Sequence, residues 1–194
     1  MPGGRARTYA WNERRLRAYP ALRVGDGALV LLVGPPSSGK TTMAVRALDS
    51  VPAPVALWAS EMGIGPSVAA LFSRCGVRRP NFSVLGRSSL DAVHAQMQRT
   101  GSVALGIDSV QSAEIAPEDA RHLLAVTPQL RLVVAISQIN KAGESYGPMK
   151  WPHEADVIIR IEDMRWHLEK SRYQPLDSAY GQVIDDGGEN EPVH

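Results

Sequence analysis

The chain is expected to be an α/β protein, with a mainly parallel central sheet flanked by helices and a C-terminal β-hairpin. Three features of its 194 residues point there. Short apolar runs alternate with helical patterns as far as residue 138, the rhythm of parallel strands joined by helical crossovers. The apolar run Ala28 to Val33 leads into Gly34-Pro35-Pro36-Ser37-Ser38-Gly39-Lys40-Thr41, and a helical pattern from Thr41 to Asp49 leads out. Val157 to Ile161 and Arg165 to Arg172 then alternate as the two strands of a hairpin.

In chain order, Val51-Pro52-Ala53-Pro54 breaks the first helix, and Val55 to Ala59 reads as a buried strand ending at Ser60-Glu61. Pro66 suits the first turn of a helix that carries Val68, Ala69, Leu71, Phe72 and Cys75 on a broad buried face and stops at Gly76. Asn81 to Leu85 is a strand. Ser88 and Asp91 form a capping pair for a helix through Thr100, with Leu90, Val93 and Met97 inward. Val103 to Ile107 is a strand closed by Asp108. Pro117, Glu118 and Asp119 open a helix to about Val126, and Leu132 to Ile136 is a strand ending in Ser137-Gln138. Trp58, Trp166 and Phe72 read as packing residues.

Composition limits the possibilities. The chain has room for one domain, taken as residues 24–174. It carries a net charge of +1, so overall charge selects no partner. Residues 1–23 form a basic segment with six arginines and one acid, and residues 175–194 an acidic tail. Cys75 is the lone cysteine, which excludes an internal disulfide. No apolar run approaches the ~20 residues that span a bilayer, and no secretory signal is evident, so a cytoplasmic location without membrane contact is expected. The histidines show no metal-ligand spacing.

The sequence from Gly34 to Thr42 carries the strongest chemical signal. Glycines let the backbone close around an anion, so that successive N–H groups point inward beside the positive end of a helix dipole. In this reading Gly34, Pro35, Pro36, Ser37, Ser38 and Gly39 form the cradle, Lys40 meets the β and γ phosphates, Thr41 ligates Mg²⁺ and Thr42 lies near the α phosphate. Ligands of such sheets bind at the carboxyl ends of the strands, where three more polar residues emerge. Asp108 suits the metal shell, or else caps a turn. Glu61 suits activation of water, or else is a solvated loop residue. Gln138 suits a hydrogen bond to the γ phosphate or the attacking water, or else is a plain strand end.

The segments GPPSSGKTT, LWASEMG, LGIDSVQSA, AISQINKAG and KSRYQ stand here in an order that resembles the RecA/RadA superfamily of ATPases, over roughly residues 24 to 174. The resemblance implies a RecA-like fold, ATP and Mg²⁺ as cofactors, and a catalytic set of Lys40, Glu61, Gln138, Lys170 and Arg172. Glu61 matches the water-activating glutamate, although this chain has one acid where RadA usually has two. Asp108 matches the metal-binding aspartate, and Gln138 the glutamine that couples the γ phosphate to a DNA loop. Lys170 and Arg172, two apart on a strand and so on one face, match cations that reach a neighbouring subunit's nucleotide, or else form an exposed basic strand face that pairs with local acids. Ser171 and Gln174 depart from the RadA pattern. A homo-oligomer, either a hexameric ring or a helical filament, follows from that role, with single-stranded DNA as partner in recombination, annealing or repair.

Two segments correspond to the family's DNA loops. Gln111 to Ile115 is short and not basic. Residues 140–151 hold Lys141, Tyr146, Lys150 and Trp151, a mix that suits phosphate contact and base stacking. The alternative is a crossover whose Trp151 packs back on the sheet. The competing functions are a ring-shaped RadA- or DnaB-like DNA motor and a KaiC-like regulatory ATPase with protein partners.

Overall fold

In the computed structural model, residues 9–10, 23–24, 26–139, 150–176 and 180–183 are described. The elements in chain order are β1 (Tyr9–Ala10), β2 (Arg23–Val24), β3 (Ala28–Gly34), α1 (Lys40–Asp49), β4 (Val55–Ala59), α2 (Pro66–Cys75), β5 (Phe82–Leu85) and α3 (Leu90–Thr100). There follow β6 (Ala104–Asp108), α4 (Val110–Ala113), α5 (Pro117–Val126), β7 (Leu132–Gln138), α6 (Trp151–Glu154), β8 (Val157–Glu162), β9 (Arg165–Ser171) and β10 (Tyr180–Gln182). The main sheet has eight strands in the order β10-β9-β8-β3-β7-β6-β4-β5, and β1 pairs with β2 in a separate two-stranded ribbon.

The strands from β8 to β5 in that order pair in parallel, while β9 is antiparallel to both β8 and β10. A central parallel strand is covered on both faces, so it reads as a continuous apolar run. β3 follows this rule, with all seven residues buried. Its side chains divide by parity. Val30 and Leu32 enter the core shared with Ala44 and Leu48 of α1, whereas Leu29, Leu31 and Val33 enter the core shared with Val93 of α3 and Leu123 of α5. Helices therefore cover both faces. Trp58 and Trp166 are fully buried and Phe72 is partly buried against the core, as expected of packing residues.

The expected mainly parallel sheet with helices on both faces and a C-terminal hairpin is present. Four local readings need correction. Ser89, not Ser88, caps α3 by accepting from the Ala92 N–H; the Ser88 hydroxyl donates instead to the Gly86 carbonyl. Gln111 lies in a short helix, α4, capped by Ser109. Trp151 opens another short helix and is buried in the core. Tyr180–Gln182, within the expected acidic tail, adds the edge strand β10.

Parallel pairing aligns strand ends. Gly34 is level with Gln138, and Ala59 with Asp108. The carboxyl ends of β3, β7, β6 and β4 thus deliver the phosphate loop, Gln138, Asp108 and Glu61 to one edge of the sheet.

Candidate nucleotide site

The loop between β3 and α1 is constrained by two glycines. A Cβ on Gly34 would lie 2.1 Å from the Ile161 carbonyl oxygen, a backbone atom with no freedom to yield. Gly39 has φ +101°, a left-handed conformation that glycine adopts without penalty, and it stands at the N-cap of α1. The first turn of any helix leaves N–H groups without intrahelical acceptors, so Lys40, Thr41 and Thr42 present a donor-rich, positive end. Ser38 is buried behind the loop.

Lys40 is 6% exposed. Its Nζ donates to the Pro35 carbonyl at 2.5 Å and to Ser38 Oγ at 3.5 Å. Burial lowers its pKa, opposed by the attraction of Asp108 and Glu61. Asp108, the last residue of β6, is 3% exposed. Burial, reinforced by the Glu61 charge, raises its carboxyl to about 6, while a hydrogen bond from Thr41 and the Lys40 charge pull the other way. The two residues expected at the metal, Thr41 and Asp108, are thus in direct contact. Among the described residues no cluster of three or more His, Cys, Asp or Glu forms a metal cage. One hydroxyl and one carboxylate fit Mg²⁺, which completes its shell with phosphate oxygens and water.

Glu61 is fixed from two sides. Its backbone N–H donates to the Asp108 carbonyl at 2.9 Å, and the preceding Ser60 hydroxyl donates to the same oxygen at 2.9 Å. Gln138 Nε2 donates to Glu61 Oε2 at 2.8 Å. Gln138 is itself held by Gln111, whose Oε1 accepts from the Gln138 N–H at 3.3 Å and whose Nε2 donates to Ser137 Oγ at 2.9 Å. The Asp108–Ser109 peptide is cis. Lys40, Thr41, Glu61, Asp108 and Gln138 line a cleft of about 710 Å³ together with Pro36, Ser37, Gly39 and Thr42.

Sequence reasoning missed the rest of the wall, which includes Arg46, Met62, Leu71, Arg74, Ile136 and Met164. It also missed the positioning role of Gln111. Arg46 had a legible signal, since it follows Thr42 by four residues on one helix and so shares its face. Met164 and Gln111 had none, because their places depend on pairings distant in sequence.

Lys170 and Arg172 are not part of this chain's cleft. Lys170 Nζ donates to the Pro152 and His153 carbonyls at 2.9 and 3.0 Å. Arg172 Nη1 is 3.1 Å from Asp156, a buried carboxylate that also pairs with Arg121 and accepts the Leu29 N–H. Leu29 is the second residue of β3, and the phosphate loop follows the other end of that strand, about 16 Å away at the rise of a strand. Within one chain both cations are therefore occupied at the wrong pole of the sheet for catalysis.

Of the expected DNA contacts, Lys141 and Tyr146 lie outside the described residues. Lys150 pairs with Glu118 at 3.0 Å, and both are well exposed. Trp151 is 1% exposed, so its ring is not available to a base; it packs back on the sheet.

Fold and site together define a nucleotide-binding P-loop protein of the α/β class. No protein-family model matches the chain. It is similar to the tRNA modification GTPase MnmE of Halorhodospira halophila (strain DSM 244 / SL1), at 26% identity over 162 residues, covering 79% of this chain and 33% of that protein. The chain thus spans about a third of the length of that relative. Among the described residues no helix is long and apolar enough to cross a membrane.

Proposed function

We propose that this chain is a Mg²⁺-dependent ATPase of RecA-like design whose hydrolytic cycle controls a grip on single-stranded DNA. The observation that carries the hydrolytic part is the Gln138–Glu61 hydrogen bond in the cleft that also holds Lys40, Thr41 and Asp108. Phosphoryl transfer depends on positioning and charge stabilisation. Lys40 and the N–H groups of α1 bind the phosphates. Thr41 and Asp108 would hold Mg²⁺, which would supply positive charge against the phosphates. Glu61 orients and deprotonates water, and Gln138 fixes the direction of the Glu61 carboxylate. Because Gln138 ends β7, residues 140–149 follow it directly in sequence, which supports coupling of a change at the γ phosphate to Lys141 and Tyr146.

Steady-state turnover with Mg·ATP tests the centre. Lys40→Ala should lose nucleotide binding. Glu61→Gln should keep binding and lower kcat by about 10²–10⁴-fold; a Glu61→Gln chain as fast as the parent would refute the assigned role. For the DNA part, single-stranded DNA should stimulate turnover, and Lys141→Ala should reduce that stimulation. No response to DNA would leave an ATPase that answers to protein partners.

A second reading, GTP as substrate, is favoured by the similarity to a GTPase. Against it, the carboxylates lining the cleft among the described residues are Glu61 and Asp108, both engaged at the hydrolytic centre. Carboxylates are the acceptors best suited to the N1–H and N2–H₂ donors of guanine. Competition of ATP and GTP for the site decides between the readings.

A further inference from the structure

We propose that the C-terminal strand is a latch on the phosphate loop: Arg46, Met164 and Val183 are positioning residues, and nucleotide binding and docking of residues 180–183 stabilise each other. The proposal rests on the nucleotide reading above and adds a part of the chain that the reading does not use.

Val183 lies just past a three-residue edge strand, yet it is fully buried. Its N–H donates to the Met164 carbonyl at 2.7 Å. Its own carbonyl accepts from Arg46 Nη1 at 2.9 Å. One residue thus joins the β8–β9 turn to α1, the helix that begins at Lys40.

The same two side chains close on Gly39. A Cβ there would lie 2.9 Å from Met164 Sδ and 3.0 Å from Val183 Cγ1. The residue that sets the direction of Lys40 is therefore packed against both partners of the latch. Met164 reaches it from a turn in which Asp163 and Met164 have φ +47° and +61°. Left-handed backbone is unfavourable for residues other than glycine and persists where surrounding contacts impose it.

β10 is short, it lies at the sheet edge, and Tyr180 is 75% exposed. Such a strand sits at the low end of local stability and opens before the core does. An element that opens easily and touches the ligand loop is one whose equilibrium a ligand shifts. The coupling is reciprocal by linkage: whatever docked β10 adds to nucleotide affinity, bound nucleotide adds to docking.

The experiment uses the whole chain with and without Mg·ATP. Hydrogen exchange at the Val183 amide should slow about tenfold on binding, a coupling within the usual range. Arg46→Ala and truncation after residue 179 should each weaken Mg·ATP binding about tenfold. Combined they should weaken it no further, since both break one contact chain. Arg46→Lys, which still offers a donor to the Val183 carbonyl, should recover part of the loss. Unchanged exchange at Val183 in a chain that binds Mg·ATP overturns the latch alone, as do additive losses. A chain that binds no nucleotide removes both the latch and the function on which it rests. The exchange measurement needs no variant, so it decides even if the truncated chain does not fold.

Discussion

Asp108 is a carboxylate placed where water does not solvate it, beside a second carboxylate. Its pKa is raised from 3.8 to about 6. A folded-state pKa above the unfolded value means that the folded chain holds the proton more tightly. The associated stability is fully present below pH 3.8 and is lost as pH rises through about 6, a change on the order of 3 kcal/mol. Without nucleotide, the melting temperature should fall across that window, and Asp108→Asn should flatten the fall. A metal needs the deprotonated carboxylate, so Mg·ATP affinity should weaken as pH drops below 6. Isothermal titration at pH 5 and pH 7.5 checks this, and equal affinities would contradict the metal role. Gly34 makes a different kind of prediction. Gly34→Ala forces a Cβ into the Ile161 carbonyl, so the loop or β8 must shift. Overpacking of this kind costs about 1–3 kcal/mol. Thermal melting should show a lower midpoint, and nucleotide affinity should fall with it.

The strands bring the reacting groups together, and the short helices hold them. β7 lies between the phosphate-loop strand β3 and the Asp108 strand β6. Its end residue, Gln138, can therefore reach Glu61 from a place between the two halves of the site. Gln111 of α4 spans the gap from β6 to β7. Gln111→Ala should leave Mg·ATP binding near its parent value and lower kcat by roughly tenfold, because it loosens Gln138 without touching the phosphate cradle. Equal losses in binding and kcat would argue for a general packing defect. α6 shows how an aromatic residue suggestive of DNA contact becomes core. Trp151→Ala should destabilise the fold by about 3–5 kcal/mol, visible as a melting point roughly 10 °C lower. It should not act through a lost base contact, since the ring is enclosed.

At the scale of the whole molecule, the placement of two cations bears on assembly. Lys170 and Arg172 lie at the pole of the sheet away from the cleft, bound to the α6 carbonyls and to Asp156. We propose that they act on the nucleotide of a second copy, as the RecA/RadA resemblance implies. Arg172 is 58% exposed at its side chain despite the ion pair, so a phosphate could compete with Asp156 for it. Head-to-tail contacts of this sort generate rings or filaments. Turnover per chain should then rise steeply with protein concentration. Arg172→Ala should abolish that rise while sparing Mg·ATP binding. Turnover independent of concentration would assign Arg172 to the Asp156 network alone.

The local order of residues determined much of this protein. The phosphate loop, the apolar strands around it and the punctuation by proline and glycine all depend on neighbours a few positions apart, so they are legible in the chain itself. Glu61, Asp108 and Gln138 could be picked out for the same reason, as polar residues at the ends of apolar runs. Their meeting was not legible to the same degree, because it depends on strand order, and strand order is set by packing between segments far apart in the chain, such as β3 with β7 and β8. Only the tertiary structure decided that Gln138 bonds Glu61, that Gln111 braces Gln138, that Trp151 is enclosed and that Val183 closes on Gly39. It also placed Lys170 and Arg172 at the far pole: their spacing fixed their relation to each other, but the antiparallel turn of β9 fixed their relation to the cleft.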